Sequence, residues 1–203
     1  ERLRAVHGFD VQTGETRTLS VDECGFAYRD SVFKQELKDR FVITEVDFAL
    51  PVQWEPVVHY GDVASRCKQM GALDAQTILK AVVQIRTEKL PDPQSLGNSG
   101  SFFKNPVVPV ATAHALKSDW PELPVFEVDP GHSKLAAGWL IDQCGLKGFQ
   151  LGGVQVYPKQ ALILTNTGAA TGENLSKMIQ HIQAKVEHKF GITLEPEPNL
   201  IGA

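Results

Sequence analysis

The sequence contains few cysteines, no excess of charge of one sign and no long apolar run. Its three cysteines, Cys24, Cys67 and Cys144, are odd in number and form no C-x-x-C pair. This pattern excludes a disulfide-stapled scaffold and favours reduced thiols in a cytoplasmic protein. No cysteine or histidine stands at metal-ligand spacing from another, so we expect no metal site.

Charge and hydropathy exclude two classes of partner. Lys and Arg number 20 against 24 Asp and Glu, for a net charge of −4 in 203 residues. Proteins that bind nucleic acid or anionic membranes usually carry a basic patch instead. The longest apolar runs are far shorter than the roughly 18 residues that a membrane-spanning helix needs. We therefore expect a soluble globular protein with neither nucleic acid nor membrane as its partner.

Local patterns predict strands in the first fifty residues, then helices mixed with short strands. Strands are expected over 3–11 and 16–19, as a hairpin around Gly14, and over 41–50, 153–157, 161–165 and 192–195. Helices are expected over 63–70, from Asp74 to about Lys89, over 111–117, from a Ser133 cap to Gly145, and over 173–190. These elements intermix without βαβ regularity, which favours the α+β class.

One segment is typical of a domain boundary. Residues 91–100 are rich in Pro, Gly, Ser and Asn and carry no apolar period. We therefore expect a first domain that ends near residue 90 and a second that begins at Pro91.

The common catalytic and nucleotide-binding motifs are absent, among them G-x-G-x-x-G, Walker A, H-E-x-x-H and G-x-S-x-G. Four local clusters could nevertheless carry chemistry, and they occupy residues 25–31, 59–62, 100–106 and 195–198. The residues alone also allow ordinary structural roles for them. These are a surface ion pair, a helix cap, a turn with two buried Phe and a solvated acidic tail, in that order.

Taken in order, these clusters resemble the UDP-N-acetylenolpyruvoylglucosamine reductase (MurB) family. The matching stretches are CGFAYRDSVFK, YGD, RTEKLPDP, GNSGSFFKNPVV, KLAAGWLIDQCGLKG, and LEPE followed by LIG. The resemblance covers the whole chain but only the C-terminal portion of such an enzyme. It implies the end of an FAD-binding region over 1–90, a substrate-binding domain over 91–191 and a returning tail over 192–203. The N-terminal half, with most of the FAD site, is then expected to be missing, in keeping with the lack of an initiator Met.

The resemblance also implies a reaction, in which NADPH reduces FAD and the flavin delivers hydride to the enolpyruvyl group of UDP-N-acetylenolpyruvoylglucosamine. The product, UDP-N-acetylmuramate, is a peptidoglycan precursor needed for cell-wall biogenesis, cell shape and cell division. Charge that develops toward the substrate carboxylate must be stabilised, and a carbon must be protonated. By resemblance, Arg29 lies near that carboxylate, Ser101 protonates the carbon, and Glu197 is the essential glutamate on the other side of the enol.

Donors to the substrate diphosphate follow from the same resemblance. They are Tyr60, Lys89 and Asn105, with Gln160 and Tyr28 as further candidates. Two positions depart from the family pattern: Asn199 stands where an Arg is common, and Phe126 where a Tyr is common. We therefore expect some substrate contacts to differ in this protein.

Two other interpretations remain open. This chain by itself could be a truncated, non-catalytic module that binds a UDP-sugar, or it could be a purely structural domain. Purified protein that is yellow and oxidises NADPH would support the reductase. Colourless protein that still binds a UDP-sugar would support the binding module.

Overall fold

Helices and strands intermix along the chain, as the α+β class requires, in the computed structural model that describes residues 2–201. The chain divides between Val57 and Val58 into two compact units. The first unit is built from strands, whereas the second contains all five α-helices of the described residues.

The first unit is an antiparallel sheet of β1 (Leu3–Asp10), β2 (Glu15–Ser20) and β3 (Phe41–Phe48), in the order β2–β1–β3. The hairpin prediction is confirmed, because Asp10 pairs with Glu15 across a turn in which Gly14 has a φ of 75°. Val6, Leu19, Cys24 and Leu37 form a small buried core.

A buried ion pair ties the first unit together. Asp10 is fully buried, and its carboxylate accepts hydrogen bonds from Nε of Arg40 at 2.9 and 3.0 Å and from the backbone N–H of Gln12 at 3.0 Å. These donors favour the ionised form, and the hydrogen bond from Arg40 is the main reason that the pKa of Asp10 falls from 3.8 to about 2.

The second unit begins with the helices α1 (Val63–Met70) and α2 (Ala75–Lys89). α1 ends at Gly71, whose φ of 80° suits a residue without Cβ, and Oδ1 of Asp74 caps α2 by accepting the N–H of Thr77 at 2.7 Å. α2 stops before Pro91, as the sequence predicts. The two helices share a small core of their own, which contains Val63, Cys67 and Ala81.

Two further sheets and three helices complete the second unit. One sheet has the order β4–β10–β9–β8, and the other β5–β7–β6. Their strands are β4 (Asn98–Ser101), β5 (Val107–Pro109), β6 (Val125–Asp129), β7 (His132–Leu135), β8 (Gln150–Leu151), β9 (Val154–Val156) and β10 (Ile163–Asn166). The helices are α3 (Val110–Asp119), α4 (Ala137–Gln143) and α5 (Gly172–Phe190). The main hydrophobic core lies between these elements, from Phe102 to Leu194.

Helix α5 agrees closely with its prediction. Thr171 and Asn174 form a capping box at its start, with Oγ1 of Thr171 accepting the Asn174 N–H at 3.2 Å. Met178, Ile182 and Val186 are fully buried and form the apolar stripe that packs on the main core.

Two local predictions are wrong. Ser133 lies inside β7, paired with Val108 and Glu127, and caps no helix. Residues 192–195 form no regular strand, and the nearest pairing is an isolated bridge at Pro196. This bridge pairs Pro196 with Phe103 alone, so the tail adds no regular strand to a sheet.

Candidate functional site

The loop 100–106 and the tail 195–198 meet at one antiparallel bridge, between Phe103 and Pro196. Glu197 donates its backbone N–H to the carbonyl oxygen of Phe102 at 2.8 Å, and Lys104 donates to that of Glu195 at 2.9 Å. These bonds flank the bridge, so Pro196 occupies a position where the ladder needs no N–H. The backbone segments that carry Ser101 and Glu197 are distant in sequence, and these hydrogen bonds bring them close together in space.

Two buried aromatic rings hold this loop in place. Phe102 and Phe103 are each 2% exposed and contact each other edge to face, with ring centroids 5.4 Å apart. The N–H of Phe102 donates to the carbonyl of Leu162 at 2.7 Å, which ties the loop to the start of β10. Ser101 is exposed and Glu197 is partly buried, so both are carried at the edge of a rigid core.

The structure separates the roles of the two polar residues that follow the rings. Lys104 Nζ forms an ion pair with Oε1 of Glu195. Asn105 Oδ1 accepts the backbone N–H of Ala137 at 2.9 Å and so satisfies one of the first N–H groups of α4. Because the amide oxygen is used in this way, the donor nitrogen Nδ2 is the half of the Asn105 amide suited to bind an anion.

Gln160 also lies close to the start of α4. Its Oε1 accepts the N–H of Leu162 at 3.3 Å, and a Cβ built on Gly138 would lie only 3.2 Å from that same oxygen. The first turn of α4 therefore approaches both Gln160 and Asn105, while Leu162 links Gln160 to the loop that carries Ser101. Four of the predicted residues, Ser101, Asn105, Gln160 and Glu197, thus lie around one loop and one helix start.

Tyr60 lies in the segment just before α1, and Lys89 is the last residue of α2. Lys89 Nζ is 3.6 Å from Oδ2 of Asp62, two residues beyond Tyr60, and Tyr60 is 85% exposed. Asp62 stands at the N-cap of α1 as the sequence predicts, but its side chain makes no capping hydrogen bond. The pair with Asp62 brings Lys89 close to the segment that carries Tyr60, and the convergence of Tyr60, Lys89 and Asn105 stays a prediction.

Arg29 and Tyr28 occupy a tight turn in the first unit. Ala27 and Asp30 exchange backbone hydrogen bonds of 3.0 and 3.4 Å, and Arg29 between them has a φ of 57°. This left-handed conformation costs a non-glycine residue about 1 kcal/mol or more. The carbonyl of Arg29 accepts a hydrogen bond from Lys34 Nζ at 2.9 Å. A strained residue held by its neighbours is a reasonable functional candidate, but the role of Arg29 stays a prediction.

Three further findings concern the thiols, the metal-binding groups and the helices of the described residues. Burial raises the pKa of the Cys24 and Cys144 thiols, which disfavours the reactive thiolate. Residues 2–201 contain no group of three or more His, Cys, Asp or Glu side chains that could hold a metal ion. No helix in this part of the chain is both long and apolar enough to cross a membrane.

Two features of the site were not predicted from the sequence. The ion pair between Lys104 and Glu195 was not predicted, although both residues belong to recognised motifs. The close approach of Gly138 to Gln160 was missed as well, although a glycine inside the helical stretch AGWLID was a signal for it.

Comparison with known proteins places these features in a family. Residues 92–201 match the family model of the UDP-N-acetylenolpyruvoylglucosamine reductase C-terminal domain. The protein of that name from Ralstonia nicotianae is 47% identical over 99% of this chain and 59% of its own length. The one from Escherichia coli K12 is 47% identical over 98% of this chain and 57% of its own length. This chain thus spans less than two thirds of the relatives that it matches.

A solved structure supports the fold. The crystal structure of UDP-N-acetylenolpyruvylglucosamine reductase from Thermus caldophilus superposes with a TM-score of 0.58 at 21% identity, over 98% of this chain and 52% of that one. At that identity the likeness concerns the fold alone. The family match and the relatives together show that this chain belongs to the UDP-N-acetylenolpyruvoylglucosamine reductase family, with the family's C-terminal domain at residues 92–201.

Proposed function

We propose that the complete protein is an NADPH- and FAD-dependent oxidoreductase that reduces UDP-N-acetylenolpyruvoylglucosamine to UDP-N-acetylmuramate, and that this chain supplies its substrate side. The observation that carries the proposal is the hydrogen bond from Glu197 to the carbonyl of Phe102, since it brings the proposed proton donor Ser101 near the proposed glutamate. A place in peptidoglycan synthesis in the cytoplasm, and through it in cell shape and division, belongs to the same proposal.

The three proposed catalytic residues meet different needs of the reaction. Negative charge that develops toward the substrate carboxylate is stabilised by the guanidinium of Arg29, which can bind a carboxylate through two parallel hydrogen bonds. The hydroxyl of Ser101 delivers a proton to the carbon next to the carboxylate. A serine is a weak acid, so this step depends on close positioning, which the two buried Phe rings that follow Ser101 support. Glu197 acts from the opposite side of the enol.

The proposed diphosphate donors are Tyr60, Lys89 and Asn105, with Gln160 and Tyr28 as further contacts. The pair between Lys89 and Asp62 is exposed and 3.6 Å long, so it is weak and can give way to a phosphate. Asn105 is already oriented by Ala137, which lowers the entropy lost on binding.

Two departures from the family pattern change the proposed contacts. Phe126 offers no hydroxyl, and its ring centroid lies 5.8 Å from Lys134 Nζ instead. Asn199 lacks the guanidinium that is common at its position. We therefore propose a substrate subsite that differs from the family pattern at these two positions.

Residues 2–57 do not by themselves fit the diphosphate of FAD. They form three strands and one 3-10 turn, with no α-helix among them whose N-terminus could bind it. In the next segment, the N-terminus of α2 is already capped by Asp74, which accepts the N–H of Thr77 at 2.7 Å. The relatives extend beyond the part that this chain matches, and we place most of the flavin site there. Residues 1–90 would then be the C-terminal end of the FAD-binding region. When bound there, the flavin would supply hydride taken from NADPH.

The proposed domain division assigns most of the second half of the chain to substrate binding. A substrate-binding domain over 91–191 is supported by the family model, which begins at residue 92, and by the main core, which begins at Phe102. The tail over 192–203 would return to the FAD-binding region, although Ile192 and Leu194 are themselves buried in the main core.

One observation favours a second function for the chain by itself. The main core is closed within residues 102–194, and Asn105, Gln160 and Glu197 are held by contacts inside the second unit. The isolated chain would then be a non-catalytic module that binds the UDP-sugar.

One experiment tests both proposals. The full-length protein is mixed with NADPH and UDP-N-acetylenolpyruvoylglucosamine, and the isolated chain is titrated with the same UDP-sugar by calorimetry. NADPH oxidation that depends on the UDP-sugar supports the reductase, and its absence contradicts it. Heat of binding with the isolated chain supports the module, whereas no binding contradicts it.

A further inference from the structure

We propose that Lys104 and Glu195 form a positioning pair that keeps the tail at Glu197 aligned with the loop at Ser101. This inference rests on the proposed function. Lys104 Nζ contacts Oε1 of Glu195, and the backbone N–H of Lys104 donates to the carbonyl of Glu195 at 2.9 Å. The pair lies three residues beyond Ser101 on one segment and two residues before Glu197 on the other.

The backbone contact between the two segments is too short to hold this alignment unaided. It consists of one bridge and two flanking hydrogen bonds. Isolated pairs of short strands are marginally stable in water. A side-chain ion pair beside the bridge therefore adds a contact between two segments that share few backbone hydrogen bonds.

The repeated sequence of the tail offers Lys104 two possible glutamate partners. Glu195-Pro196 and Glu197-Pro198 are identical dipeptides, so a shift of two residues would present the same pattern to the loop. Leu194 opposes such a shift, because it is fully buried and its carbonyl accepts a hydrogen bond from Gln183 Nε2 at 2.7 Å. With the register set by Leu194, Lys104 takes Glu195 as its partner and leaves Glu197 for the reaction.

The pair also balances charge near an anionic substrate, and this second effect must be separated from positioning. K104M leaves the carboxylate of Glu195 unbalanced, whereas K104M/E195Q removes both charges and keeps the net charge of the wild type. K104E/E195K keeps both the net charge and an ion pair. If positioning is the role, K104M/E195Q stays slow and K104E/E195K recovers most of the rate.

The test uses the full-length protein in a stopped-flow instrument, with the two half-reactions followed separately. In K104M and K104M/E195Q, NADPH should reduce the flavin at the wild-type rate. Reoxidation by UDP-N-acetylenolpyruvoylglucosamine should slow roughly 10- to 100-fold, as expected for a misplaced group, with KM nearly unchanged. The matched control is K177M, which breaks the exposed pair between Lys177 and Glu173 on α5 and should change neither rate.

Two kinds of result would overturn either the positioning role of the pair or the proposed function. Wild-type reoxidation in K104M/E195Q, or no recovery in K104E/E195K, overturns the positioning role. A wild-type protein that is reduced by NADPH but never reoxidised by the UDP-sugar overturns the proposed function itself. Amide hydrogen exchange decides the structural part without turnover: the Glu197 N–H should exchange faster in folded K104M/E195Q but not in K177M, and unchanged exchange contradicts the proposal.

Discussion

The backbone N–H of Glu197 donates to the carbonyl oxygen of Phe102 across 2.8 Å, and the N–H of Phe102 donates to Leu162 across 2.7 Å. Three segments that are far apart in sequence therefore meet at one residue whose ring is buried in the main core. Burial protects these hydrogen bonds from water. Ser101, which precedes Phe102 in the chain, and Glu197, which is bonded to it, gain a rigid support from Phe102, and this is where the most informative variants lie.

Ser101→Ala should separate the two half-reactions of the full-length protein. NADPH-driven flavin reduction needs no proton at the sugar carbon, so it should stay near the wild-type rate. Reoxidation by UDP-N-acetylenolpyruvoylglucosamine should slow by about 10²–10⁴-fold, the usual value of a positioned proton transfer. The loss should appear in turnover rather than in KM. Stopped-flow absorbance of the flavin measures both rates.

Ser99→Ala is the matched control, because Ser99 is also exposed and lies on β4, two residues before Ser101. It should leave both rates unchanged. Ser101→Cys should regain part of the reoxidation rate, because a thiol also carries a transferable proton. If Ser101→Ala reoxidises as fast as the wild type, Ser101 has only a structural role at the end of β4.

Asn105→Asp should weaken binding of the UDP-sugar while it preserves the fold. An aspartate still accepts the N–H of Ala137 but has no donor for the diphosphate and adds a negative charge. Loss of a hydrogen bond to a charged group predicts a KM increase of roughly 10- to 100-fold. The control is Asn166→Asp, whose side-chain oxygen likewise accepts backbone N–H groups, of Gly168 and Ala170. Equal KM values in the two variants would remove Asn105 from the proposed diphosphate site.

The 203-residue chain alone should bind FAD weakly. The described residues offer no helix N-terminus in the first unit for the flavin diphosphate. The flavin absorbance of the purified chain should therefore correspond to far less than a 1:1 ratio of flavin to protein. The full-length protein should retain a ratio near 1:1. Stoichiometric flavin that co-purifies with the isolated chain would contradict this prediction.

The pair of Asp10 and Arg40 should make the first unit sensitive to acid. The pKa of Asp10 is about 2 in the folded state against an ordinary value of 3.8, chiefly because of the hydrogen bond from Arg40. A lowered pKa stabilises the fold above pH 3.8, and that contribution is lost as the pH falls through about 2. Asp10→Asn should lower the melting temperature at pH 7, and its difference from the wild type should shrink toward pH 2.

Circular dichroism melts over this pH range measure the effect. Asp22→Asn, at an exposed position of the same unit, serves as the control and should melt like the wild type. A difference between Asp10→Asn and the wild type that stays constant from pH 7 to pH 2 would show that the carboxylate charge is not the cause.

Gly153→Ala should destabilise the second unit, because its Cβ would lie 2.2 Å from backbone atoms of Ala169 and Ala170. Overpacking against backbone predicts a loss of about 3 kcal/mol in the free energy of unfolding. Gly172→Ala is the control: it lies at the first position of α5 with nothing within 4 Å, and it should gain about 0.4–1 kcal/mol. Urea titrations compare the two variants, and equal stability would contradict the close approach.

The sequence by itself determined the elements whose signals are local. Helix α5 needs only its capping box at Thr171, its apolar stripe and Gly191, all of which act over a few residues. The β1–β2 hairpin and the end of α2 before Pro91 are equally local. The family resemblance was readable too, because its motifs are continuous stretches.

Only the tertiary structure decided how these motifs meet. The strand that contains Ser133 forms because β5 and β6 flank it, although serine has little strand preference of its own. The assignment of Lys104 to Glu195 depends on where the chain returns after Leu194, and that of Asn105 depends on where α4 begins in space. That return is set by burial of side chains from many distant residues in one core, and no short stretch of sequence contains this information.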